Sequence, residues 1–193
     1  SSYNGLTGSS SKKTVSIDCW GIGVVKIVDN FLPEESFNEL KRLIVFNPNL
    51  PLYARDYVGE DSYSEAEKNS RHYYHNYFFT HTVFFEDEPV SPLYDDVKRF
   101  FESKLKIETL LRIRVNLYPN ADKVKEHGQH IDYNFSHTAA IYCLNTCDGF
   151  SRIGEEVIES IANRIYFFDG GELHNSSNTS NAMARFNLVF NYI

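Results

Sequence analysis

Hydrophobic and polar residues alternate along two stretches of this chain, and a period of two predicts strands. Between 112 and 118, Arg112, Arg114, Asn116 and Tyr118 alternate with Ile113, Val115 and Leu117; between 184 and 192, Arg185, Asn187 and Asn191 alternate with Ala184, Phe186, Leu188, Phe190 and Tyr192. Side chains two apart in a strand share a face, so each stretch presents one apolar and one polar face. Further strand-like runs lie at 24–28, 73–85, 137–145 and 163–169, with a shorter one at 157–161. Two helices are predicted. The first runs from about Glu34 to Val45, with Phe37, Leu40 and Ile44 on one stripe and Glu34 and Glu35 at its positive amino end. The second starts near Ser91-Pro92 and carries Leu93, Val97, Phe100, Phe101 and Leu105. Residues 46–71 read as an irregular connection, and no internal repeat or heptad seam is present.

An apolar outer face packed on helices and a polar inner face turned to a cavity is what a small β-sandwich enzyme requires. A solvated outer face is the competing reading of these alternations, above all for Arg112 and Arg114. The Tyr-rich segment from Tyr53 to Phe85 reads either as a lid or substrate groove or as a packing layer. His72, His75 and His81, within it, read as packing or lid residues.

Composition narrows the class. At 193 residues the chain suits a single domain, taken as 14–193, preceded by a flexible Ser- and Gly-rich segment at 1–13. Its 42% hydrophobic and 15% aromatic content fits a globular β-rich protein. A net charge of −7 counts against a broad phosphate-binding surface, and so against nucleic acid as a partner. Cys19, Cys143 and Cys147 are too few for a disulfide framework; Cys143 and Cys147, with no matching second pair, read better as buried thiols than as a zinc site. No apolar run approaches the roughly 18 to 20 residues of a membrane span, and no secretory start is visible. These features predict a soluble, cytoplasmic protein.

Chemistry enters at His130-Ile131-Asp132, followed by His174 and Arg185. In an extended segment His130 and Asp132 share a face, and a later strand can bring His174 across to them. Two imidazoles and one carboxylate hold a divalent metal while leaving positions open. His127 and His137 are the rivals; each is an odd number of residues from His130 and points the other way in a regular strand. Glu126 and Glu172 have no partner at ligand spacing. Zinc would accept the same ligands and activate water, but no general-base carboxylate stands beside them. Iron(II) with open positions suits oxygen chemistry, and Arg185 can hold the far carboxylate of a five-carbon keto-diacid that chelates the metal.

With these residues the chain resembles the 2-oxoglutarate and iron(II)-dependent oxygenases, most closely their prolyl-hydroxylase-like branch. The resemblance is carried by Arg-Val-Asn-Leu-Tyr-Pro at 114–119, His-Ile-Asp at 130–132, Ala-Ile-Tyr-Cys-Leu-Asn at 140–145, His174, and Arg-Phe-Asn-Leu-Val-Phe at 185–190. The opening Val-Asp-Asn-Phe-Leu-Pro at 28–33, followed by a helix, also resembles the usual start of such domains. It implies a mainly β fold, a double-stranded β-helix (a cupin-like jelly roll), with supporting N-terminal helices. It implies His130, Asp132 and His174 as iron ligands, Arg185 as the partner of the co-substrate's far carboxylate, and Tyr118, Asn116 and Asn187 as further co-substrate contacts. It implies an oxidoreductase that uses Fe(II), 2-oxoglutarate and O2. Such an enzyme hydroxylates a protein side chain (proline among the candidates) or a small molecule and releases succinate and CO2. Three departures bear on prolyl specificity: Asp148-Gly149-Phe150-Ser151 replaces a Gly-Gly-Glu-Thr stretch, Cys143 replaces a tyrosine, and Arg185 replaces a lysine. The alternatives are a non-catalytic jelly-roll binding module, a nucleic-acid demethylase with the same iron chemistry, and a zinc hydrolase.

Overall fold

The computed structural model describes residues 24–55 and 77–193. The expectations for 1–13, Cys19, His72 and His75 fall outside these residues. Eleven strands and two helices are described: β1 (Lys26–Val28), α1 (Glu34–Ile44), β2 (Tyr53–Arg55), β3 (Phe78–Phe85), β4 (Glu88–Pro89), α2 (Leu93–Phe101), β5 (Leu110–Pro119), β6 (Thr138–Cys143), β7 (Phe150–Ile153), β8 (Glu156–Glu159), β9 (Ile165–Asp169), β10 (His174–Ser176) and β11 (Ala184–Tyr192). A major antiparallel sheet runs β1-β9-β6-β11-β5-β3-β2, with β4 beside β3; a minor sheet runs β10-β7-β8. The chain is thus mainly β, as its alternations require.

Local chemistry explains the elements. In α1, Phe37, Leu40 and Ile44 are buried, while Glu34 and Glu35 in the first turn and Lys41 and Arg42 in the last suit the helix dipole. Helix α2 buries Leu93, Val97, Phe100 and Phe101. It stops at Phe101, short of the predicted stripe, and Leu105 packs from the turn beyond, its backbone N–H still bonded to the Phe101 carbonyl. Between β3 and β4 the chain reverses at Glu86 and Asp87, both with positive φ (52° and 62°), as a type I′ hairpin demands. Asn163, also at positive φ (64°), accepts at Oδ1 from the Leu32 N–H and the Tyr142 hydroxyl and donates from Nδ2 to the Leu32 carbonyl. One side chain therefore staples the approach to α1 onto the sheet.

Strand parity divides the major sheet into two faces. Tyr142, Leu144, Phe167, Phe186, Leu188 and Phe190 join α1 and α2 residues in the larger core. On the opposite face, Ala139, Ile141, Cys143, Tyr166, Phe168 and Val189 meet Ile153 and Ile158 of the minor sheet. The helices thus back one face, and the polar faces of β5 and β11 turn inward between the sheets. Arg112 and Arg114 lie on this inner side, lining a cavity; the solvated-face reading of these two residues is overturned. Of the predicted run 73–85, residues 73–76 lie outside the described residues and 78–85 form strand β3. His81 is buried there, its ring nitrogens bonded to the Pro51 carbonyl and to Ser91 Oγ, a packing role.

Candidate metal centre and adjoining pocket

Register assembles the site. Across β5 and β11, Arg112 faces Asn191, Arg114 faces Val189, Asn116 faces Asn187 and Tyr118 faces Arg185. Each pair meets on one face because both strands alternate in step. At the Arg112 end, His130 forms an isolated bridge to His174 at the start of β10, each N–H bonded to the other's carbonyl at 2.9 Å. Parity expects an extended strand carrying His130 and Asp132, but the segment 128–132 is not a regular strand. The bridge and the Asp132 N–H to Gly170 carbonyl bond (2.9 Å) hold His130 and Asp132 instead.

The ligand atoms of His130, Asp132 and His174 all lie within 4.8 Å of one another, and His174 Nε2 is 3.8 Å from Asp132 Oδ2. His174 Nδ1 is tied to the Glu172 carbonyl at 2.8 Å, which fixes its ring and leaves Nε2 for a metal. Asp132 sits in a closed hydrogen-bond ring. Arg112 donates to Asp132 Oδ1 (2.7 Å) and to Asn191 Oδ1 (3.1 Å), and Asn191 Nδ2 donates to Asp132 Oδ2 (2.8 Å). Burial alone would raise the Asp132 pKa, but Arg112, His174, Asn191 and His130 together hold it well below the usual carboxylate range. Burial, helped by His174, lowers His130 to about 4, so both groups are in their metal-binding protonation states at neutral pH. His130 Nδ1 is buried without a hydrogen-bond partner among the described residues. An ionised carboxylate and two imidazoles converging on one point fit a divalent metal.

His127 and His137 stand outside this set. His127 lies against the Tyr118 ring (5.4 Å between centroids) with Nδ1 on Ser176 Oγ; His137 Nε2 accepts from Asn191, one bond behind Asp132. Glu126 is engaged by Arg152 and Asn175. Cys143 and Cys147 are buried free thiols.

The triad opens onto a cavity of about 480 Å³ whose walls include Asn116, Tyr118, Asn187 and Ser151. Arg185, expected to face it, is fully buried just behind Ser151. Its guanidinium donates to the Phe150 carbonyl (2.7 Å), the Ser177 carbonyl (3.2 Å) and Ser151 Oγ (2.9 Å), and lies 5.6 Å from the Tyr118 ring. No carboxylate balances this charge among the described residues, and Nε has no partner. A buried cation without a counter-ion is costly and favours an anion nearby. Ser151 Oγ also accepts from the Tyr166 hydroxyl at 2.7 Å, so its own proton is free for a cavity ligand. An acidic co-substrate fits this end of the cavity.

Sequence reasoning missed Ser151 and the Asn191–Arg112 support of Asp132. Counting by two from Arg185 reaches Asn191 on the inner face; nothing local marks Ser151. Asn191→Leu is expected to weaken Mn(II) binding about 10- to 100-fold, read by titration of the free aqueous Mn(II) signal, while the circular dichroism spectrum stays that of the wild type.

The sheet pair and enclosed triad define a double-stranded β-helix. No protein-family model matches the chain, and no curated protein matches it in sequence. Solved structures do share its fold. A 2OG-Fe(II) oxygenase family oxidoreductase from Burkholderia pseudomallei matches with a TM-score of 0.55 at 14% identity, over 87% of this chain and 84% of that one. A prolyl hydroxylase from Trichoplax adhaerens, in complex with a hypoxia inducible factor peptide fragment, matches at 0.52 and 14% identity, over 89% and 84%. The viral collagen prolyl hydroxylase of Paramecium Bursaria Chlorella virus-1, as its 2OG complex, matches at 0.52 and 9% identity, over 86% and 94%. Among the described residues no helix is long and apolar enough to cross a membrane.

Proposed function

We propose that this chain, as one domain over 14–193, is an Fe(II)- and 2-oxoglutarate-dependent dioxygenase of the prolyl-hydroxylase-like kind. The observation that carries the reading is the convergence of His130, Asp132 and His174 beside a cavity backed by the unbalanced Arg185. His130, Asp132 and His174 would hold the iron. Tyr118, Asn116, Asn187 and Ser151 would contact the 2-oxoglutarate, with the Arg185 charge behind Ser151 favouring its far carboxylate. When bound, iron and co-substrate supply oxidative decarboxylation to succinate and CO2, with an oxygen atom from O2 delivered into a substrate C–H bond. The protein's own work is positioning. Arg112 and Asn191 keep Asp132 ionised and oriented, Glu172 sets the His174 ring, and the two sheets limit access of water.

The substrate is a protein side chain, proline among the candidates, or a small molecule; the peptide bound by the Trichoplax neighbour supports a peptide. Titration of the protein with Fe(II) and 2-oxoglutarate without oxygen tests the reading. A visible absorbance that requires both additions, followed by succinate release on admitting O2, is expected. Metal uptake with no absorbance change on adding 2-oxoglutarate would assign a non-catalytic jelly-roll module instead.

A further inference from the structure

We propose that the substrate carries an oxyanion, a carboxylate or a phosphate, which docks on Arg114 and Arg55 at the β3–β2 side of the cavity. The inference rests on the oxygenase reading and narrows its substrate class. Three arginines, Arg55, Arg112 and Arg114, line this cavity in a chain of net charge −7. Asp132 is the one acid among the described lining residues. Arg112 is committed to Asp132 and Asn191. On the oxygenase reading the metal takes the near carboxylate of 2-oxoglutarate, and Arg185 favours the far one. Arg114 and Arg55 then remain without an anion among the described residues.

They stand toward the β3–β2 edge of the major sheet, where β5 and β3 lie between Arg55 and β11. Arg114 leaves β5 with its guanidinium 5.7 Å from the Phe78 ring, on the β3 side of the sheet and away from β11, where Arg185 stands. Its buried Nε has no partner, and its guanidinium makes no side-chain hydrogen bond or ion pair among the described residues. Arg55, exposed at the end of β2, is the cross-strand neighbour of Phe78. Phe78 itself stacks on Tyr118, with centroids 5.6 Å apart, which fixes the ring against which Arg114 lies. Burial, and then the charge of Arg112, lowers the Arg114 pKa to about 10, a cation under strain from its surroundings yet still charged at neutral pH. Two guanidinium groups lining one cavity can meet the paired oxygens of a carboxylate or phosphate. A substrate that offered only an uncharged ring would leave both unpaired.

The test uses the protein loaded with Mn(II) and 2-oxoglutarate, so that binding is read without turnover. Three capped probes are titrated by calorimetry: N-acetyl-glutamate methylamide, its phosphoserine counterpart and the neutral glutamine analogue. One anionic probe is expected to bind at least about tenfold more tightly than the neutral one, and which one distinguishes carboxylate from phosphate. Arg114→Gln and the exposed Arg55→Gln should each remove at least about fivefold of that preference. Affinity for 2-oxoglutarate should stay within about twofold in both variants. The proposal is overturned if neither anionic probe outbinds the neutral one, or if the preference survives both substitutions. It is equally overturned if Arg114→Gln weakens 2-oxoglutarate binding as strongly as probe binding, since Arg114 would then serve the co-substrate. Failure of the wild type to take up 2-oxoglutarate with Mn(II) would instead remove the oxygenase reading, and this inference with it.

Discussion

A His174→Ala variant is expected to bind Mn(II) or Fe(II) more than about 100-fold more weakly than the wild type and to release no succinate from 2-oxoglutarate. Loss of an outer-shell partner already costs about 10- to 100-fold, and loss of a ligand exceeds it. The variant leaves His130 and Asp132 as a two-ligand site with no fixed third donor. His174 is placed for this role by the antiparallel bridge to His130 and by the Glu172 carbonyl that holds Nδ1. The neighbouring Leu173, 57% exposed, provides the control. Leu173→Ala should bind metal as the wild type does. Wild-type metal affinity in His174→Ala would mean that the three side chains converge without gripping an ion.

Arg185→Gln is expected to raise the 2-oxoglutarate concentration needed for half-saturation about 10- to 150-fold, leaving Mn(II) affinity within about twofold. The magnitude is that of a unit charge acting through Ser151 over about 6–10 Å at an effective dielectric constant of about 20, about 1.5–3 kcal/mol. The glutamine can still donate toward the Phe150 carbonyl or Ser151 but carries no charge. In the wild type, 2-oxoglutarate with Mn(II) should raise the melting temperature, because it supplies the missing counter-charge only to the folded state. That rise should shrink in the variant. Equal co-substrate affinity in the two proteins would make Arg185 a structural cation that bonds the Phe150 and Ser177 carbonyls and nothing more.

Periodicity revealed much of this site because the two strands that build it are regular. Arg112, Arg114, Asn116 and Tyr118 on β5, and Arg185, Asn187 and Asn191 on β11, share one face in sequence and in space. Helices α1 and α2 were legible from their stripes, α1 also from Glu34 and Glu35 in its first turn and α2 from Ser91-Pro92 at its start. The rest depended on contacts that no local pattern encodes. Ser151 gains its place from pairing with Ser176 and from the Tyr166 and Arg185 donors, all distant in sequence. Parity suggested that Arg185 faces inward, but not that Ser151 stands between it and the cavity. His130 and Asp132 were correctly paired although the segment that carries them is no regular strand, because backbone bonds to His174 and Gly170 replace a ladder.

Strand order has a consequence for how the molecule is made. β11, the latest of the described strands along the chain, lies in the middle of the major sheet between β5 and β6. During synthesis β5 and β6 therefore emerge well before the strand that joins them, each with an unpaired edge. The two halves of the sheet, and with them the metal ligands and Arg185, come together in one late, long-range step. Such a topology folds slowly and is most prone to aggregation while the ribosome is still completing it.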